Sequence, residues 1–187
     1  MSTLIIGGGG SGKTTYAKEL TRRHLADGGR AIILTTAPEE WEVGENLTVT
    51  TDVAMVRELV TALVVYRQSA KSPTPVLFVI DGADKFDAEL TSPLWQAVER
   101  VTRFGRDTSV SFVATAQRTD GVVPNSVIDF ADVLVTGYPT APREHVLFPL
   151  GSYRHSVRSL FEQEAPAVLI DRGSGEVIPW NLEPAKV

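Results

Sequence analysis

Short apolar runs recur along the chain, separated by stretches whose apolar residues repeat at helical spacing. Thr3 to Ile6 ("TLII") predicts a buried strand that runs into a glycine loop. Residues 14–29 predict a helix, with Ala17, Leu20, His24 and Leu25 on one face and Gly28-Gly29 as its stop. "AIILTT" (31–36) predicts a second strand, residues 37–46 a loop and "LTVT" (47–50) a short extended piece. Asp52 is placed to cap a helix reaching about Ser69, with Val56, Leu59, Val60 and Leu63 inward. Every residue from Val76 to Ile80 is apolar, the pattern of a central strand buried on both faces. A helix over about 91–104 follows, then strands at "VSFVATA" (110–116) and "ADVLVTG" (131–137). Residues 143–150 and 153–163 predict short helical pieces. "AVLIDRGSGEVIPW" (167–180) reads as two strands around a glycine-containing turn. Strands alternating with helices predict an α/β fold, a mostly parallel central sheet flanked by helices, with a C-terminal antiparallel β-hairpin.

Composition narrows the classes. At 187 residues the chain is expected to form one domain, and 43% hydrophobic residues are enough for a sizeable core. A net charge of −5 gives no global attraction to nucleic acid, so such contact needs a local basic surface or several copies in an assembly. The absence of cysteine excludes disulfides and thiolate metal sites and suits a reducing compartment. No secretory leader is legible, and the apolar runs are too short to cross a bilayer, so membrane insertion is not expected. "KSPTP" (71–75) reads as a loop before a strand. The histidines are scattered, without metal-ligand spacing. Trp41, Trp95 and Trp180 are expected in the core or at an interface.

The glycine loop carries the strongest chemistry. Gly7 to Thr14 ("GGGGSGKT") match G-x-x-x-x-G-K-[ST] at every fixed position, between a strand and a helix. Glycines let backbone N–H groups turn toward a β-phosphate, and the helix N-terminus adds positive potential. Gly7, Gly8, Gly9, Gly10, Ser11, Gly12, Lys13, Thr14 and Thr15 are therefore expected to hold ATP. Lys13 reaches the β- and γ-phosphates, and Thr14 offers its hydroxyl to Mg²⁺. A dinucleotide site would not require the Lys-Thr pair.

Asp81 ends the all-apolar strand, at the edge that faces the ligand crevice of a parallel sheet. A carboxylate there can hold Mg²⁺ through water, opposite Thr14. Many ATP hydrolases carry a glutamate straight after this aspartate, to position the attacking water; here the place is Gly82. Asp84, Glu39 and Glu40 are the alternatives, the latter two just past the second strand. Gln117, at the tip of the 110–116 strand, either senses the γ-phosphate and orients water or serves as a loop cap.

The segments "GRDTSVSFVATAQR" (105–118) and "VVPNSVIDFADVLV" (122–135), with the terminal hairpin, resemble the FtsK–HerA superfamily of P-loop motor ATPases, of RecA/ASCE-like fold. The resemblance spans Gly7 to about Trp180. It implies that Arg106, just before the strand, is a finger on ATP held by a neighbouring subunit, with Arg103 as the fallback. The small size resembles the genome-packaging ATPases of tailless icosahedral viruses with an internal membrane. That implies an ATPase translocating double-stranded DNA, a homo-oligomeric ring of five or six subunits, capsid or vertex proteins as partners, and the host cytoplasm or virion as location. Arg143, Arg154, His155 and Arg158 either line a DNA channel or form a solvated helix face. The rival readings are a small P-loop metabolite kinase, a weakly hydrolysing nucleotide-dependent assembly module, and a conjugation or filamentous-phage assembly ATPase. No arginine-rich lid supports the kinase.

Overall fold

The computed structural model describes residues 2–67, 74–86, 88–138 and 150–181; of residues 67, 88–91 and 105–107 it describes the backbone alone. Residues 71–73, Arg143, the helical piece expected over 143–149 and the end of the helix expected at Ser69 lie outside the described residues.

The apolar runs become strands where expected. β1 (Thr3–Ile6), β2 (Arg30–Thr35), β3 (Leu47–Thr50), β4 (Val76–Asp81), β5 (Val110–Ala116), β6 (Asp132–Val135), β7 (Val168–Ile170) and β8 (Val177–Pro179) form one sheet in the order β3-β2-β4-β5-β1-β6-β7-β8. β1 to β6 are parallel wherever they pair, while β7 pairs antiparallel with β6 and with β8. The terminal hairpin thus extends the sheet, as its turn chemistry predicts.

The helices are α1 (Lys13–Ala26), α2 (Val53–Arg67), α3 (Ala88–Thr108), α4 (Asn125–Phe130) and α5 (Arg154–Glu162). Side chains alternate across each strand, so the sheet has two apolar faces. Ile5, Ile33, Val79, Val113 and Leu134 pack with Tyr16 and Ala17 of α1. Leu4, Ile6, Phe78, Ile80 and Phe112 pack with α2, α3, α4 and α5 on the other face. Coverage on both faces explains why Val76–Ile80 can be apolar throughout.

Helix boundaries follow local chemistry. Gly28 closes α1 in the left-handed region at φ 81°, and the Gly29 N–H returns to the His24 carbonyl at 3.0 Å. α1 therefore ends at Ala26, before the glycines included in the sequence-based span. Asp52 caps α2 as expected, accepting the Met55 N–H at 3.0 Å. Leu59 does not point inward: it is 37% exposed, and Val64 takes the buried place beside Val56 and Val60. Val64 lies four residues after Val60 on the buried stripe, whereas Leu59 falls beside it.

α3 is longer at both ends than the expected 91–104. Pro93 suits a first helical turn, yet the helix begins a turn earlier. At the other end it runs through Gly105, and Ser109 makes the left-handed exit at φ 53°.

Candidate nucleotide and metal site

The parallel strands β1, β2, β4 and β5 end at the same rim. Their exits build a cleft of ≈ 430 Å³ lined by Gly10, Gly12, Lys13, Thr14, Thr15, Glu40, Asp81, Gly82, Asp84, Lys85, Thr115 and Gln117. β5 lies between the P-loop strand β1 and the Asp81 strand β4. This puts Gln117 between the two.

The glycines of the loop do different work. Gly10 and Gly12 adopt φ 72° and 87°, a region L side chains rarely enter. Gly7 is required by close approach: a methyl there would overlap the hydroxyl oxygens of Ser11 and Thr136. Those two hydroxyls share a 2.8 Å hydrogen bond, which ties the loop to the end of β6. Gly8 and Gly9 have open space around them. Lys13 Nζ donates to the Gly7 and Gly8 carbonyls at 2.9 and 2.7 Å, arching over the loop. Burial holds the Lys13 ammonium below its ordinary pKa, Asp84 and Asp81 oppose that shift, and Lys85 adds to it.

Asp81 is 7% exposed and fully engaged. Its Oδ1 accepts Thr115 Oγ1 at 2.8 Å and Thr14 Oγ1 at 3.0 Å. Its Oδ2 accepts Trp41 Nε1 at 3.2 Å and lies 3.3 Å from Thr14 Oγ1. Thr14 and Asp81, expected to face each other across a cation, are in direct contact. A hydroxyl beside a carboxylate is a hard-oxygen pair of the kind Mg²⁺ takes, with water filling the other positions.

Gly82 has a structural reason. It sits at φ 76°, its N–H donates to Thr115 Oγ1 at 2.7 Å, and a Cβ would press on the Lys85 side chain. A glutamate at this position would be strained. The chain instead makes a 3-10 turn, Ala83–Lys85, that carries Asp84 back to the cleft. The Gln117 N–H donates to Asp84 Oδ1 at 3.0 Å. Of the two glutamates after β2, Glu40 lines the cleft; Glu39 is exposed and does not.

Sequence reasoning missed Thr115, Trp41, Thr136 and Lys85. Thr115 was legible as a polar residue in an apolar strand. Trp41 gave no signal, because its reach to Asp81 depends on β2 and β4 being neighbours.

Arg106 lies in the last turn of α3, which leads into β5 at the sheet edge opposite the cleft. Arg154, His155 and Arg158 are exposed on α5, where Arg158 pairs with Glu162 at 2.8 Å.

No protein family and no curated protein matches the sequence. Solved structures do. B204, the DNA-packaging ATPase from Sulfolobus turreted icosahedral virus, superposes with a TM-score of 0.65 at 15% identity, covering 94% of this chain and 94% of that one. The fold is that of the P-loop NTPases. The genome packaging NTPase B204 from Sulfolobus turreted icosahedral virus 2, in complex with ATP-γS, gives a TM-score of 0.66 at 15% identity, again over 94% of each chain. The cytoplasmic domain of the type VII secretion ATPase EccC from Thermomonospora curvata gives 0.64 at 13% identity, covering 94% of this chain and 23% of that one. Among the described residues no helix is long and apolar enough to cross a membrane.

Gly7→Ala is expected to fold but to lower nucleotide affinity by about 10-fold or more, because the added methyl displaces Ser11 and the loop. Gly9→Ala, which meets nothing, should change affinity little. Titration with a fluorescent ATP analogue compares them.

Proposed function

We propose that this chain is an ATP-hydrolysing motor of the FtsK–HerA superfamily that translocates double-stranded DNA and packages a viral genome into a preformed capsid. The observation that carries this reading is the end-to-end likeness to B204, a DNA-packaging ATPase, combined with a complete P-loop, Asp81 and Gln117 on one rim. Capsid or vertex proteins are the expected partners, in the host cytoplasm or the virion.

The residues have the following roles. The loop N–H groups of Gly7–Thr14 cradle the phosphates, with Thr15 at the start of the helix, and Lys13 neutralises charge on them. Thr14 and Asp81 would hold Mg²⁺, which when bound would offset phosphate charge. Asp84 positions and deprotonates the attacking water. Asp84 is also the strongest of the charges supporting the Lys13 ammonium, which supports its place beside the phosphates. Glu40 is the second candidate. Gln117 reports the γ-phosphate state.

Arg106 acts in trans. No arginine lines the cleft among the described residues. Its position at the opposite edge of the sheet, at the end of a helix of 21 residues, places it away from its own P-loop. Contact with a nucleotide then needs a head-to-tail neighbour; such contacts form a ring where the rotation between neighbours closes, and the expected ring has five or six subunits. The likeness to EccC favours a second reading, a secretion-type ATPase moving protein.

Four outcomes test these roles. ATP turnover should rise when double-stranded DNA of any sequence is added, and the effect should fade with salt. Lys13→Ala should abolish turnover. A rate that ignores DNA would favour the secretion reading. Asp84→Asn should bind ATP near-normally but turn over about 10²-fold more slowly, the scale of a lost general base. If that variant stays active and Glu40→Gln does not, the base is Glu40. Arg106→Ala should lose about 10³-fold in turnover, and mixing it with Lys13→Ala should partly restore activity, because some interfaces then pair an intact P-loop with an intact arginine. A mixture that co-assembles and stays inactive would rule out the trans role.

A further inference from the structure

Trp41 stands where a core residue is expected, 5% exposed and packed in the cluster that holds Ile33 and Leu77. Yet its indole N–H is spent on the candidate metal-site carboxylate, at 3.2 Å from Asp81 Oδ2. Asp81 Oδ1 is held by a different element, through Thr115 of β5 at 2.8 Å. Thr14 is shared between the two oxygens, at 3.0 and 3.3 Å, and so does not fix the plane of the carboxylate alone. Trp41 and Thr115 give each oxygen a donor of its own, which fixes that plane.

We propose that Trp41 is a positioning residue that orients the Asp81 carboxylate for the cation. This rests on the reading of Thr14 and Asp81 as the Mg²⁺ site. An indole suits the task because it donates one hydrogen bond and accepts none, so its nitrogen cannot itself ligate the cation. Its direction is fixed from two sides. The ring is embedded in the core, and the Lys18 ammonium lies 5.7 Å from its centroid. Lys18 follows Thr14 by one turn of α1, so the same helix sets the Thr14 hydroxyl and the ring that aims at Asp81. The anchored ring also places its neighbour Glu40 on the wall of the cleft.

The test is the Mg²⁺ dependence of binding of a fluorescent ADP analogue. Trp41→Phe keeps the ring and removes the donor. In EDTA its affinity should match the unsubstituted chain to within about twofold, because the P-loop is untouched. The Mg²⁺ concentration for half-maximal tightening should rise about 10-fold, the lower end of what loss of an outer partner of a metal ligand costs. In an Asp81→Asn background the same substitution should add nothing, since its effect runs through the carboxylate. A Trp95→Phe/Trp180→Phe chain, in which Trp41 is the remaining tryptophan, gives a readout that keeps Trp41 itself. Its emission should change when Mg²⁺ is added with ADP, and should not when Asp81→Asn is also present.

An unchanged Mg²⁺ requirement in Trp41→Phe overturns the proposal, as does a shift that persists without the Asp81 carboxylate. Should Trp41→Phe not fold, an emission that ignores Mg²⁺ overturns it equally. If the unsubstituted chain binds nucleotide without regard to Mg²⁺, the metal-site reading itself fails, and this one with it.

Discussion

The Thr14–Asp81 contact depends on a strand that contributes neither residue. Adjacent strands lie about 4.8 Å apart, so with β5 between them β1 and β4 are about 10 Å apart. No loop residue of β1 reaches Asp81 across that gap. The P-loop turns the chain into α1, and Thr14 in its first turn closes the distance to 3.0 Å. Thr115 fills the space beneath, on the strand that spans it, and bonds to both Asp81 and Gly82. A threonine at that point of β5 is therefore a keystone rather than an incidental polar residue. Buried at 1% exposure, its hydroxyl needs both partners, as any buried polar group does.

The same bonding explains the chain's departure from the commoner acidic pair. The Gly82 N–H meets Thr115, and the backbone turns left-handed immediately after Asp81. Only glycine takes that turn without strain. The next acidic residue, Asp84, stands in the 3-10 turn, where it accepts the Gln117 N–H. Gly82, where the sequence lacks the commoner glutamate, thus has a backbone role beside Asp81.

How much was legible follows from how local each signal is. Strands β1 and β5 sit where their apolar runs place them, because near-complete burial leaves few alternatives. The Asp52 cap and the Gly28 stop were readable for the same reason: each acts within a few residues. The ends of α3 were not, since a proline near the start and a glycine near the end are overruled by packing of Leu94, Val98 and Val101 against the sheet. Leu59 shows the limit of apolar spacing, which fixes a stripe but not its edges. At the site, the P-loop is a contiguous motif and was complete in the sequence. Trp41 and Thr136 were not readable, because they join the site through strand neighbours far away in the chain.

α3 gives this local chemistry a long reach. It begins just after Asp84, and its buried face packs against β5, the strand that ends at Gln117. The Asp84–Gln117 bond joins the exits of β4 and β5, and these exits lead to α3 and α4 respectively. α3 and α4 are in turn linked by the hydrogen bond from Ser126 to Glu99. Asp84 and Gln117 are thereby connected to the paired helices on one face of the sheet. α1 packs on the other face of the sheet, and the P-loop meets the β5 exit through the Gly7 N–H, which donates to the Ala116 carbonyl at 3.4 Å. A helix of 21 residues spans about 30 Å, so α3 reaches as one rod from the rim to Arg106 near its far end. In a head-to-tail ring that rod would run from one subunit's cleft to the next. Coupling between neighbouring sites would then need no element beyond α3, provided the helix stays continuous through Pro93 and Gly105, the two positions where its own sequence is weakest.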